Sequence, residues 1–145
     1  MQIRDAAYND LTAVETLLSA SDLPLDGVSE NFADFLVAED NGEITGAIGL
    51  ERFGRLALLR SAVVAPPARG SGVGSQLVER LLERARLKGV EELYLLTTTA
   101  EQYFPRFGFT RTTRAGVPEP VKTSAEFRGA CPDTAVVMTR RLAKN

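Results

Sequence analysis

The sequence predicts an α+β fold: a mixed, mostly antiparallel sheet with one parallel junction and about four flanking helices. Three observations predict it. Short apolar runs between residues 35 and 65 are divided by turn signals, as in a meander. A glycine-rich stretch, residues 69–74, then leads into an amphipathic helical pattern. A further apolar run, Leu93 to Thr97, follows, and a strand–helix–strand unit of this length makes a parallel pair with a right-handed crossover. The 145 residues, 44% apolar and 25% charged, suit a soluble globular protein, and residues 1–145 are read as one domain.

Met1 to Ala7 alternates weakly and is read as an edge strand. Asn9 or Asp10 is the expected cap of a helix carrying Leu11, Val14, Leu17 and Leu18. Leu23-Pro24-Leu25-Asp26-Gly27 breaks that helix, and Ser29 is the expected cap of a short turn after it. Phe35 to Ala38 reads as a strand, and Asn41-Gly42 is a hairpin signal before the returning strand, Ile44 to Phe53. Gly54 allows another tight turn into Arg55–Ala65. Pro66-Pro67 ends the meander. Leu77, Leu81, Leu82 and Ala85 then mark one face of a helix closed by Lys88 and Gly89. A short helix is expected over Ala100–Phe107, with Phe109 opening the next strand. Pro118, Pro120 and Pro132 make residues 115–132 an irregular excursion with a helical turn near Ser124–Arg128. Thr134 to Leu142 reads as the last strand, and Lys144 and Asn145 as a frayed end.

Composition excludes several chemistries. There is no histidine, so a Ser-His-Asp triad, a Cys-His dyad and histidine-ligated metal sites are ruled out, and no metal is expected. The single cysteine, Cys131, forms no intramolecular disulfide and reads as a small hydrophobe in a reducing compartment. A net charge of −2 argues against nucleic acid, because Glu79, Glu83, Glu91 and Glu92 dilute the Arg84-Arg86-Lys88 cluster. No signal-peptide run, lipidation motif or membrane-length apolar stretch is present, and a cytoplasmic location is expected.

The chemistry is carried by Arg69-Gly70-Ser71-Gly72-Val73-Gly74, between a strand and a helix N-terminus. Glycines let a ligand approach the main chain, and the first amides of the helix lack intrahelical partners at the positive end of its dipole. Such a loop suits a pyrophosphate, with Arg69 adding positive charge. A triphosphatase loop would need Gly-Lys-Ser/Thr where this chain has Gly74-Ser75-Gln76. A dinucleotide fingerprint would need Gly-x-Gly-x-x-Gly early in a βαβ unit, and here the spacing is Gly-x-Gly-x-Gly after a meander.

The arrangement resembles motif A of the GCN5-related N-acetyltransferase (GNAT) family, Arg/Gln-x-x-Gly-x-Gly/Ala, matched by Arg69, Gly72 and Gly74. Gly108-Phe109, closing a short helix after the next strand, matches the family's second signature. The resemblance covers almost the whole chain. It implies that acetyl-coenzyme A lies between splayed parallel strands, with the pantetheine arm along Ala62, Val63 and Val64. The pyrophosphate would lie on Arg69, Gly70, Ser71, Gly72, Val73, Gly74 and Ser75, and Thr97 and Phe104 complete the cofactor candidates. Gly49-Leu50-Glu51-Arg52, Leu59-Arg60-Ser61, Leu95 to Ala100 and Cys131-Pro132 resemble, more narrowly, the arsenic-resistance N-acetyltransferases. That narrower likeness implies a small amino-acid-like amine, such as an arsinic or phosphinic analogue of glutamate.

Acetyl transfer needs a neutral amine, a stabilised oxyanion and a proton for the thiolate. By the resemblance, a backbone amide near Val64 is the oxyanion donor. Glu51 is the candidate base, ahead of Glu39 and Asp40, which lie at a turn. Where the family commonly has a tyrosine, this chain has Phe104, so Tyr103 is the candidate acid although one residue turns it about 100° around a helix. Arg60 and Arg52 are candidates to hold a substrate carboxylate or phosphinate, and Thr98 a candidate to hydrogen-bond it. Pairing of Arg60 with Glu51 is an equal alternative, and simple strand alternation puts Arg60 and Val64 on one face unless a bulge intervenes. Arg114, Lys122 and Arg128 are read as a lid or as solvated surface. Two rival functions stand beside the enzyme, an acyl-coenzyme A sensor and a protein-amine acetyltransferase. A homodimer is an open expectation.

Overall fold

Asn41 and Gly42 both take positive φ, 52° and 82°, the pairing that a type I′ hairpin turn requires. That turn joins β2 (Phe35–Asp40) to β3 (Glu43–Phe53), and a second tight turn leads into β4 (Leu56–Val64). β1 (Gln2–Asp5) pairs on the outer edge of β2, as expected for an edge strand. The computed structural model describes residues 1–142, so the fraying read for Lys144 and Asn145 lies outside the described residues. With β5 (Glu92–Thr97), β6 (Thr110–Thr112) and β7 (Val136–Arg141), the strands form one seven-stranded sheet in the order β1-β2-β3-β4-β5-β7-β6. Every neighbouring pair is antiparallel except β4 and β5.

The helices cover both faces. α2 (Val73–Leu87) buries Val73, Leu77, Val78, Leu81 and Ala85 against Leu36, Ile48, Leu50, Leu59, Leu93 and Leu95 of the sheet. It ends where Gly89 turns left-handed and Val90 donates back to the Ala85 carbonyl at 3.0 Å, a Schellman closure. On the other face α1 (Leu11–Ala20) packs Val14 and Leu18 on Phe35, Val37, Ala47 and Val63. The excursion shares that face, with α3 (Glu119–Lys122) and Val117 packed on Leu58, Tyr94 and Val137.

Local chemistry corrects three readings. Asp10 starts α1 but does not cap it; a 3-10 turn, Tyr8–Asp10, precedes the helix. Its carboxylate turns back to accept from the Ala7 amide at 2.7 Å and from Arg4 at 2.8 Å, and the Arg4 bond holds the carboxyl below its ordinary pKa. Ser29 caps nothing, since its hydroxyl donates to Glu30 and the next 3-10 turn opens at Phe32. The helix expected over Ala100–Phe107 is a turn followed by a 3-10 segment, Phe104–Phe107. Pro105 has no amide hydrogen to continue an α-helix there.

Simple alternation also fails in β4. Ala47 faces Val63 and Gly49 faces Arg60, so Ser61 and Ala62 together oppose Ile48, and Ser61 takes φ 59°. Before the bulge, Ala57 and Leu59 face α2; after it Val64 faces α2, and Val63 faces α1. Arg60 and Val64 therefore lie on opposite faces.

Gly49 faces Phe35 across the β2–β3 ladder, and a Cβ there would stand only 2.3 Å from two carbons of the Phe35 ring. Gly49→Ala is expected to cost about 1–3 kcal/mol through overpacking. Phe35→Leu should cost less in the Gly49→Ala background than alone, which urea unfolding midpoints of the four proteins will test.

Candidate acyl-transfer site

β4 and β5 pair only from Leu56–Glu92 to Leu58–Tyr94. Beyond that point they part, and a cleft of about 790 Å³ opens between their C-terminal ends. Its walls come from residues 59–64 of β4, 95–97 of β5, the loop before α2, the end of α1 around Ser21–Pro24, and the excursion.

The loop has the local structure its glycines predict. Gly70 and Gly72 take φ 82° and 88°. Gly72 stands at the N-cap of α2 with no side chain capping the helix, and the first intrahelical bond runs from the Gln76 amide to the Gly72 carbonyl. The amides of Val73, Gly74 and Ser75 therefore present the free positive end of a fifteen-residue helix. Gly70, Gly72, Gly74 and Ser75 line the cleft. Ser71 and Val73 do not line it with their side chains: the Ser71 hydroxyl donates to the Ala68 carbonyl, and Val73 is buried against the sheet. Only their main chain is available to a ligand. Arg69 donates from Nε to the Val64 carbonyl at 3.0 Å, so it ties the loop to β4 as well as adding charge.

The Ala65 amide bonds the Thr45 carbonyl at 2.8 Å on the β3 side. Strand geometry then turns the amide and carbonyl of Val64 to the opposite edge, into the gap left by β5. Ala62, Val63 and Val64 all line the cleft there.

Tyr103 and Phe104 divide as their 3-10 geometry dictates. Phe104 is 6% exposed and packs edge-on to Phe109, at the inner wall of the cleft. Tyr103 points its hydroxyl at the first turn of α2, 3.2 Å from Ser75 Oγ, and also lines the cleft. The Tyr103 ring is held between Phe107 and the Arg106 guanidinium, 4.5 Å from its centroid. Thr97 and Thr98 line the rim, and Thr97 Oγ1 also accepts from the Ala100 amide at 2.9 Å.

Three expected residues take other partners. Arg52 lies near the β3–β4 hairpin, away from the cleft, bonded to Asp34 at 2.9 Å. Glu51 does not line the cleft; its Oε1 accepts from Arg60 at 3.0 Å and from the Ser124 hydroxyl at 2.9 Å. The Arg60 side chain forms part of the cleft floor with no exposed surface, and it also donates to the Asp26 carbonyl and to Ser61 Oγ. The pairing alternative for Arg60 is thus what the geometry shows. In the excursion, Arg114 donates to the Pro132 carbonyl and lies over the Phe127 ring, and Lys122 sits 3.8 Å from Glu119.

The sequence reading missed Glu126. It is 4% exposed, lines the cleft, and has its Oε2 at 3.5 Å from Arg60. Burial pushes its carboxyl up to about 6, against the pull of Arg60 and with help from Glu51 and Asp26. Burial, then Glu126, pushes the neighbouring Cys131 thiol up to about 12, which fits an inert thiol. The helical turn expected near Ser124–Arg128 was the available signal, but nothing in it pointed a carboxylate inward. Among the described residues no cluster of acidic residues and cysteine suits a metal ion, and no helix is long and apolar enough to cross a membrane.

Arg60→Met should cost about 3–5 kcal/mol, because it leaves buried carboxylates without their cation. Glu126 already binds its proton more tightly than an ordinary carboxyl, so stability falls as pH rises between about 4.5 and 6. In Arg60→Met that window should extend upward and the loss should grow with pH, as thermal melts from pH 5 to 8 will show.

The Acetyltransferase (GNAT) domain family matches residues 31–111. An amino-acid acetyltransferase of Ralstonia nicotianae is 31% identical over 131 residues, 81% of this chain but 28% of that protein. The chain therefore spans under a third of that relative's length. An uncharacterized N-acetyltransferase of Chlorobaculum tepidum is 29% identical over 119 residues, 79% of this chain and 76% of that protein. Among solved structures, N-acetylglutamate synthase from Neisseria gonorrhoeae, complexed with coenzyme A and N-acetyl-glutamate, superposes with a TM-score of 0.85 at 22% identity. That alignment covers 99% of this chain and 35% of the synthase, and at this identity it speaks to the fold. The family match spans more than half of the chain, from β2 to β6, and includes the strands and loop that build the cleft, so the protein belongs to the GNAT acetyltransferases.

Proposed function

We propose that the protein moves the acetyl group of acetyl-coenzyme A to the amine of a small amino-acid-like substrate. The observation that carries this reading is the uncapped N-terminus of α2 opening onto the gap between β4 and β5. An anion site and an unpaired strand edge share one cleft, which suits a donor with a pyrophosphate at one end and an amide-rich arm at the other. The main chain of Gly70 to Ser75, with Arg69, holds the pyrophosphate. The open edge of Ala62–Val64 pairs with the arm. The Val64 amide faces the gap and serves as oxyanion donor. Tyr103 supplies the thiolate proton: its hydroxyl lies over the first turn of α2 on the cleft wall, so Phe104 at the family's tyrosine position does not leave the site without one.

The amino-acid acceptor is supported by the likeness to the Ralstonia amino-acid acetyltransferase. An arsinic or phosphinic glutamate analogue rests on the local resemblances at residues 49–52, 59–61, 95–100 and 131–132 alone, and belongs in the same panel. The test is coenzyme A release from acetyl-coenzyme A with amino acids, these analogues, polyamines and peptide amines. Turnover confined to amino-acid-like amines is expected. Donor binding with no turnover on any amine would overturn the reading in favour of a sensor, and preference for peptides would move it to protein acetylation.

Gly72→Glu should weaken coenzyme A binding at least about tenfold in calorimetry, since it places a negative charge at a helix N-terminus and a side chain at φ 88°. Tyr103→Phe should lower kcat by about a hundredfold with little change in KM for the donor.

A further inference from the structure

Among the described residues, two carboxylates line the cleft, Asp22 and Glu126. Asp22 is exposed, whereas Glu126 is buried at the floor on the five-residue turn Glu126–Ala130. The groups around Glu126 come from four elements. Arg60 on β4 stands 3.5 Å away, Glu51 on β3 is bonded to the same arginine, and Asp26 follows α1. Cys131, next in the excursion, donates its amide to the Glu126 carbonyl at 3.2 Å, and its thiol favours the charged form of the carboxyl. Arg114 acts on Cys131 from the start of the excursion. Glu51 makes the direct hydrogen bond to Arg60 and so balances its charge. Glu126 is then the surplus negative charge on this floor, and a cleft with such a floor attracts an ammonium group.

We propose that Glu126 takes the proton from the substrate ammonium, with Arg60 positioning its carboxylate. The proposal rests on the acetyl-transfer reading above and names the base that the reading leaves open. The Glu126 carboxylate accepts one proton from R–NH₃⁺ and releases the neutral amine. The amine lone pair forms the N–C bond to the thioester carbonyl, and the C–S bond breaks. The second amine proton goes to the departing thiolate through Tyr103, leaving the amide and free coenzyme A. Glu126 then returns its proton to water. A carboxyl that titrates near 6 is mostly ionised at neutral pH and still basic enough to share the ammonium proton.

The test compares wild type with Glu126→Gln, Glu126→Asp and Cys131→Ala. The readouts are kcat/KM for the preferred amine from pH 5 to 8, with coenzyme A affinity and melting temperature as controls. Wild type should show an acidic limb near pH 6. Glu126→Gln should lose about a hundredfold in kcat/KM, and the limb with it, at unchanged coenzyme A affinity. Glu126→Asp should retain the limb at reduced rate. Cys131→Ala removes a thiol that favours the charged carboxylate and should move the limb to higher pH, which keeps the proposal testable if Glu126→Gln does not fold. A wild-type profile without the limb, a limb unmoved in Cys131→Ala, or a folded Glu126→Gln within about twofold of wild type, overturns the role of Glu126 alone. Absence of wild-type turnover on every amine overturns the acetyl-transfer reading and this proposal together.

Discussion

After Leu58 and Tyr94, β4 and β5 stop sharing hydrogen bonds. A parallel pair that parts in mid-sheet leaves main-chain groups on β4 without a strand partner, and such groups are costly unless something else meets them. In this protein Arg69 meets one, the Val64 carbonyl, and the cleft exposes the others. The bulge at Ser61 makes the parting compatible with a continuous core. It re-aims the strand so that Val64 packs toward α2 and Val63 toward α1, while Arg60, just before it, lies in the cleft floor. This gap brings the loop, the helix N-terminus and the strand edge into one cleft.

The floor of the cleft is an electrostatic compromise. A fully buried guanidinium is tolerated because each of its three nitrogens has an acceptor: Ser61, Glu51 and the Asp26 carbonyl, with Glu126 close by. Two acids share one cation, so the desolvated one is held part-way toward neutrality. The same arrangement that anchors the excursion to β3 and β4 therefore leaves a titratable group facing the ligand space. Stability and chemistry are coupled at that point through Arg60.

Much of the framework was legible in the residues. The Asn41-Gly42 hairpin, the amphipathic face of α2, its Gly89 closure and the Gly70–Gly74 loop all follow from local rules, and each is seen. Departures cluster where a side chain took its partner from another element. Asp10 was taken by Arg4 instead of capping α1, and Glu51 by Arg60 and Ser124 instead of facing the cleft. Alpha-helical spacing does not fix the directions of Tyr103 and Phe104, because the 3-10 turn around Pro105 sets their angle.

Local propensity and periodicity determined the order of strands and helices, the glycine-rich loop and its family resemblance, because those signals are written in neighbouring residues. Which face each β4 side chain takes, which carboxylate reaches the cleft, and which arginine is spent in pairing were decided by tertiary structure. Glu51 and Glu126 are chemically alike and far apart in the chain, and only the packing of the excursion on β3 and β4 sets one against Ser124 and the other on the cleft floor. Burial and charge balance are properties of that packing, and no local pattern in the chain encodes them.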